Sequence, residues 1–375
     1  METRVTQKKN GKLEFYRFVA CVYVLCFHAN KYVNGEHYPD GIHLHFFPNG
    51  SLGVEFFFLL SGFFLAAGIY KKVSTMDNLS NQALSVELVD FMKKKYVRIF
   101  PEHLIAFVLT FISFSIIHQY HSIKELALLL YDNVPNILLI QETGISYRSI
   151  NHVEWYLSCM LICMAIIYPI CRKFYYCFTR YFAPLIGLLG IGYIICTTGA
   201  LTGVHVWMTF TIKGMLRAFC ELCLGTTAFE ITRCLKEKYK RNYSGKLQLT
   251  CMLLDILLFA YTLFFVLFTI GKPYQVYIVF TFMILIIINA AEIPYGCDLF
   301  QNKVVYFLGA ISLPIYLGQL AAIYLVTGLC STYSHSKQIA LIIVITILFA
   351  LLIMGIKKVC NRIITFKERR VDGRS

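Results

Sequence analysis

Thirty-two consecutive residues, Tyr181 to Ile212, contain no Asp, Glu, Lys or Arg. The nineteen from Gln338 to Ile356 repeat the pattern, flanked by Lys337 and Lys357. About 20 apolar helical residues cross the hydrocarbon core of a bilayer. In that solvent every backbone N–H and C=O must be satisfied within the chain, so only helices and closed barrels can span. These runs are continuous and lack the apolar/polar alternation of barrel strands, which leaves membrane helices. Only 15% of the chain is charged, against ~25% in a soluble domain. Its mean hydropathy is +0.63.

The expected fold is therefore all-α, a polytopic bundle of about ten transmembrane helices. The spans fall roughly at 13–32, 52–70, 103–119, 153–171, 181–200, 212–231, 247–270, 274–291, 304–330 and 338–356. They form a single domain over 13–356, between a short tail at 1–12 and a basic tail at 357–375. Segment 81–100 reads as an interfacial amphipathic helix leading into the third span. Leu84, Leu88, Phe91 and Met92 face one way, while Lys93, Lys94, Lys95 and Arg98 cluster. Lys124 to Gln141 is too interrupted to span and is expected along the opposite membrane surface. The stretch after Lys12 carries Arg17 and continues past Phe27, so it reads as a first span and not as a cleavable signal.

A net charge of +14 would suggest nucleic acid in a soluble protein. Here its distribution gives another reason. With the N-terminus cytoplasmic, 27 of the 35 Lys and Arg lie in cytoplasmic segments, 6 in outer loops and 2, Arg17 and Arg217, within spans. The positive-inside rule accounts for that asymmetry and puts both termini in the cytoplasm, which requires an even number of spans. No nucleic-acid partner is expected. The chain reads as multi-pass in the cell's plasma or inner membrane.

The fourteen cysteines are mostly within apolar spans, where a small buried apolar role is usual. Cys220 and Cys223 have zinc-like spacing but no second pair nearby, and no metal is expected there. His37, His43 and His45 could bind a metal or simply be solvated.

Ionisable residues inside spans are costly and mark function. Arg17 and His28 lie eleven residues apart in one apolar segment. At 100° per residue they share a helix face, about 16 Å apart along the axis. Span one runs outward and span two inward, so His28 and Glu55 both lie about one turn below the outer surface. Glu55 there either orients His28 or is a solvated interfacial acid. The same bookkeeping puts Glu154, Trp155, Arg217, Glu221, Tyr316 and Gln319 in the outer half. Arg217 and Glu221 can also simply pair within their helix. Arg17, Lys95 and Arg98 fall near the cytoplasmic end, where anchoring on anionic lipid is an alternative for Arg98 and the lysines. Ser61-Gly62 suits close helix packing. Asp255 is an isolated intramembrane acid with no evident role.

The chain resembles the acyltransferase 3 family of integral membrane O-acyltransferases over essentially its whole length. Arg17 and His28 match first. Gly53-Val54-Glu55-Phe56-Phe57-Phe58-Leu59-Leu60-Ser61-Gly62-Phe63 is similar to the family's G-V-D/E-x-F-F-x-x-S-G-F. Lys95-Tyr96-Val97-Arg98-Ile99-Phe100-Pro101 resembles R-x-x-R-I-x-P. Trp155-Tyr156-Leu157 with Tyr168-Pro169 is a weaker match, and Leu308 to Leu317 resembles L-G-x-I-S-Y-S-x-Y-L. Two positions depart. Gln319 stands where many members have a His, and Met160 where many have a Glu.

The resemblance implies transfer of an acyl group, acetyl in the first instance, from acyl-CoA to a hydroxyl of a cell-surface glycan or its lipid-linked precursor. A neutral imidazole suits the removal of that hydroxyl proton, and His28 is the candidate; it could instead carry the acyl group itself. Arg17 and Arg98 would hold the phosphates of the donor. Trp155, Arg217, Tyr316 and Gln319 are further candidate site residues. The bilayer, a second copy of the chain and a glycan-assembly machinery are candidate partners. The competing reading is a multipass transporter or flippase for a glycan or small metabolite, which an inverted repeat would favour; none stands out.

Overall fold

The computed structural model describes residues 9–34, 47–74, 80–145, 149–241, 244–268 and 274–372, with backbone only from 363 onward. His37, His43 and His45 lie outside the described residues. The long helices are α1 (Gly11–Asn34), α2 (Gly53–Val73), α3 (Asn81–Ile117), α6 (Trp155–Lys173) and α8 (Ala183–Thr198). They continue with α9 (Lys213–Arg241), α10 (Gly245–Phe268), α11 (Gln275–Ala290), α12 (Lys303–Leu329) and α13 (His335–Asp372). Shorter pieces are α4 (Ile123–Asp132), α5 (Val134–Ile137) and α7 (Tyr175–Cys177). A two-residue hairpin, Trp207–Met208 with Thr211–Ile212, precedes α9. This is a polytopic helical bundle, and each of the ten expected spans falls on one long helix.

Seven of these helical stretches are long and apolar enough to cross a membrane by composition alone. α1 and α9 miss that measure through their charges, and α11 through its length of 16 residues. The charges of α9 are tolerable because they are paired inside the fold. Arg180 Nη2 lies 2.7 Å from Glu230 Oε1, which also takes Arg233 Nη2 at 2.8 Å.

The chain divides into two compact units. One comprises Met1–Phe27, Leu44–Asp90 and Cys159–Ala310; the other His28–His43, Phe91–Ser158 and Ile311–Ser375.

In the first unit α2 packs along α9 with backbones nearly touching. A Cβ on Gly62 would sit 2.1 Å from Leu222 O, and one on Gly225 2.2 Å from Leu59 O. Only glycine permits this approach, as expected for small residues between membrane helices. Contacts of Glu55 with Arg217, Phe63 with Phe229 and Tyr70 with Arg233 rise together along the two helices, so α2 and α9 run parallel, as strict alternation requires of spans two and six. Cys220 packs its sulfur where Gly190 of α8 leaves room; a Cβ there would come within 2.1 Å of it. Asp255 acquires the partners its sequence context hid. Lys12 Nζ and Asn289 Nδ2 both donate to it, and Tyr16 donates at 2.8 Å.

In the second unit α3 and α12 also run parallel. Phe114 packs on Tyr324 at 5.3 Å, and Ile117 fills the space a Cβ on Gly328 would need. Three segments take a definite form here. The amphipathic stretch 81–100 leads into the third span without a break, continuing through Pro101 to Ile117 as one helix. Proline removes one backbone donor, and Lys357 Nζ bonds the loosened turn, to Arg98 O at 3.4 Å and Glu102 Oε1 at 2.8 Å. The basic tail is helical to Asp372, continuing the last span. Finally, only the first part of 124–141 lies on the surface. α4 begins there with a capping box, Ser122 and Glu125 each accepting the other's backbone N–H at 3.1 Å. Beyond Asp132 the chain turns inward, burying Asn133, Asn136, Leu139, Gln141 and Glu142.

Candidate active site

α1 carries Arg17 and His28 on one unbroken helix. Within the second unit, His28 Nδ1 lies 3.1 Å from Oε1 of Gln319 on α12. The Gln319 amide nitrogen donates to Tyr316 O at 2.8 Å. A carbonyl only accepts, so the NH2 end is committed there and the oxygen is turned to His28. The imidazole therefore carries its proton on Nδ1, and Nε2 is the basic nitrogen.

The surrounding groups hold this arrangement. The His152 ring stands edge-on to His28, 6.2 Å between centroids, with its Nε2 3.0 Å from Tyr32 OH. Tyr316 is buried; its hydroxyl donates to Val153 O at 2.6 Å and its ring meets Tyr156 edge-on. Asn151 Nδ2 donates to Leu317 O at 3.2 Å, and Tyr324 OH to Ile150 O at 3.1 Å. The 316–319 turn of α12 is thus tied both to the histidine and to the strip 150–156 that begins α6.

That strip leads to a second polar group. Glu154 Oε1 lies 2.7 Å from His103 Nδ1, and both side chains are fully buried. Asn136 and Asn151 donate to the same carboxyl at 2.7 and 2.8 Å. His103 Nε2 meets Ile137 O at 3.0 Å. Both ring nitrogens are engaged, so His103 pins the inward segment to α3 and α6 and is not placed to take a proton from substrate. Glu142 nearby is 5% exposed, and burial pushes its carboxyl up to about 7.

Glu55 and Arg217 meet within the first unit. Arg217 Nε donates to Glu55 Oε2 at 2.8 Å, and Nη2 lies 2.6 Å from Oε1. Glu221 is 3.6 Å from Nε, so the intrahelical pair exists and Glu55 joins it. The depth argument gives Glu55 to His28; the structure gives Glu55 to Arg217, and gives the His28 ring Gln319. Trp155 is the buried first residue of α6. Arg17, partly exposed, pairs with Glu14 at 2.9 Å. Arg98 is exposed.

Sequence reasoning passed over His103, His152 and Asn151. His103 stands at the first position of its expected span and reads as interfacial, although an ionisable residue next to an apolar run was a usable signal. His152 and Asn151 stand just before the Trp155 motif and read as loop.

Residues 10–356 match the family model for acyltransferase 3, described as an acyltransferase domain. The chain belongs to the acyltransferase 3 family. Neither the curated proteins nor the solved structures compared with it give a match. Membership of acyltransferase 3 makes the protein a multi-pass membrane acyltransferase, an enzyme that needs an acyl donor and an acceptor.

Proposed function

We propose that the protein moves an acyl group, acetyl in the simplest case, from cytoplasmic acyl-CoA to a hydroxyl of a cell-surface glycan or its lipid-linked precursor, in the plasma or inner membrane. The observation that carries this reading is the bond from His28 Nδ1 to Gln319 Oε1. With the proton on Nδ1, Nε2 carries the lone pair and would act as the base. The acceptor oxygen attacks the thioester carbonyl carbon while its proton passes to Nε2. The C–S bond then breaks, and the same proton leaves Nε2 for the departing thiolate. An ester and free CoA result, with the imidazole restored.

Gln319 stands where many relatives have a His, and it performs a task within reach of an amide: accepting from Nδ1 and holding the tautomer. Tyr316 and Trp155 border the same turn and strip and would shape the acceptor side. Arg17 and Arg98, on the side that the charge asymmetry makes cytoplasmic, would hold the donor's phosphates, a task for which guanidinium is well suited. Glu55 and Arg217 would act together as one ion pair, not as an acid assisting His28. No metal takes part in this scheme.

The experiment is mass spectrometry of surface and lipid-linked glycans from cells with the gene, without it, and complemented with His28→Ala at equal membrane level. Loss of one acyl modification in the deletion, restored by the wild type alone, is the expected result. Restoration by His28→Ala would overturn the mechanism.

A further inference from the structure

Gln141 lies at the bottom of the segment that turns inward after Asp132. It is 3% exposed, yet neither its amide oxygen nor its amide nitrogen has a hydrogen-bond partner among the described residues. A buried polar group left unpaired costs about 1–3 kcal/mol, and each such group calls for an explanation. Asn151 adds a second orphan. Its nitrogen is spent on Glu154 and Leu317 O, while its Oδ1, fully buried, has no partner among the described residues.

Both lie on segments tied to the start of α6. Glu142 N, next in sequence to Gln141, donates to Ser158 Oγ at 3.3 Å. Asn151 donates to Glu154. Glu154 and Ser158 are four residues apart, hence one turn, about 6 Å, along the same helix face. Two acceptor oxygens, Gln141 Oε1 and Asn151 Oδ1, and one NH2 group are therefore left without a complement among the described residues, on segments tied to successive turns at the start of α6.

We propose that Gln141, with Asn151 Oδ1, is a binding site for adjacent hydroxyl groups of a saccharide acceptor. This rests on the acceptor class given under Proposed function and extends it to residues that no motif of the sequence marks. A primary amide presents a donor and an acceptor side by side, and a vicinal diol offers the complementary pair. Each hydroxyl can donate to one oxygen and accept from the NH2 group. The pantetheine arm of an acyl-CoA also carries amides and is the competing occupant. Two considerations favour the sugar. The charge asymmetry of the sequence puts the beginning of α6 on the side opposite the basic ends, and the neighbouring carboxyl of Glu142 suits hydroxyl donors better than the approach of a polyphosphate.

The test uses the full chain in lipid nanodiscs, titrated with methyl glucoside, methyl mannoside and methyl galactoside, and separately with pantetheine. Binding is read from tryptophan fluorescence. The chain has two tryptophans, and Trp155 lies within a turn of Ser158. At least one glycoside is expected to give a saturable signal. Gln141→Leu and Gln141→Met, close in volume and apolar, should weaken it about tenfold or more, the loss expected for ~1.4 kcal/mol. Two variants guard against one failing to fold. The proposal is overturned if no glycoside binds the wild type, if both variants bind as the wild type does, or if pantetheine gives the Gln141-dependent signal. Release of CoA from acetyl-CoA by the wild type is measured alongside. Its absence would sink the acyl-CoA reading while leaving the glycoside titration readable.

Discussion

The buried polar groups of the two units are built on different plans. Around Asp255 in the first unit, opposite charges meet and are saturated. Lys12 and Asp255 are 7% and 4% exposed and in direct contact, with Tyr16 and Asn289 taking up the remaining carboxylate capacity. Glu55 and Arg217 follow the same logic, at 0% and 3%. In the second unit imidazoles recur among the buried polar groups, and one of them, His103, meets a carboxylate, that of Glu154. His28 rests on Gln319, His152 on Tyr32, and amide atoms of Gln141 and Asn151 are left over. A saturated ion pair in low dielectric holds helices in register and has little capacity to exchange a proton. An imidazole that donates from Nδ1 to an amide oxygen carries its lone pair on Nε2, the form that the proposed role as base requires. The contrast teaches where to look for structure and where for catalysis.

The sharpest way to break that contrast is His28→Ala. General acid–base groups contribute typically 10²–10⁴-fold, so acyl transfer should fall by about that factor, with the thermal unfolding midpoint little changed. A variant that loses its fold instead would place His28 with the structural groups. The converse experiment is Asp255→Ala. It strands a buried ammonium, and removal of one partner from a buried pair costs roughly 3–5 kcal/mol. Unfolding in detergent should report that loss, and the double variant Lys12→Met with Asp255→Leu should recover most of it. If activity disappears from a stable double variant, the first unit's pair is functional after all.

Gln319→Leu sharpens the comparison further. It removes the acceptor that holds Nδ1–H, leaving a buried donor unpaired at ~1–3 kcal/mol. Acyl transfer should drop about ten- to a hundredfold, and Gln319→His should restore part of it. Equal rates in wild type and Gln319→Leu would show that the tautomer is held by something else.

The smallest effect concerns Glu142, whose carboxyl burial raises from an ordinary 4.5 to about 7. The folded state then keeps a proton that the unfolded chain releases. The group's stabilising contribution is complete below about pH 4.5 and declines as pH rises through 7. Unfolding measured from pH 4.5 to 7.5 should show that decline, and Glu142→Gln should flatten it. A slope unchanged in the variant would assign the pH dependence elsewhere.

How much was legible in advance differs by feature. Spans declared themselves because hydrocarbon admits few charges, so a one-dimensional count of apolar residues locates them. Even α9, which hydropathy alone undervalues, was readable from the run ending at Ile212 and the helix-spaced Arg217 and Glu221. The motifs around Arg17, His28, Glu55 and Arg98 pointed to acyl transfer before any coordinates. The partners were another matter. His28 and Gln319 are 291 positions apart, and Arg217 and Glu55 162. Depth alone puts several residues at one level without saying which azimuth each faces, which is why Glu55 was matched to His28 and not to Arg217.

The chain of residues by itself determined that this is a bundle of membrane helices, because the cost of charge in hydrocarbon is a property of each segment taken alone. It also carried the motifs of its family in a readable order. Tertiary structure alone decided that Gln319 sets the tautomer of His28, that the segment after Asp132 turns inward, and that Gln141 is buried with its amide unpaired. Those outcomes depend on where helices cross and how closely glycines let them approach, and such geometry is summed over neighbours distant in sequence.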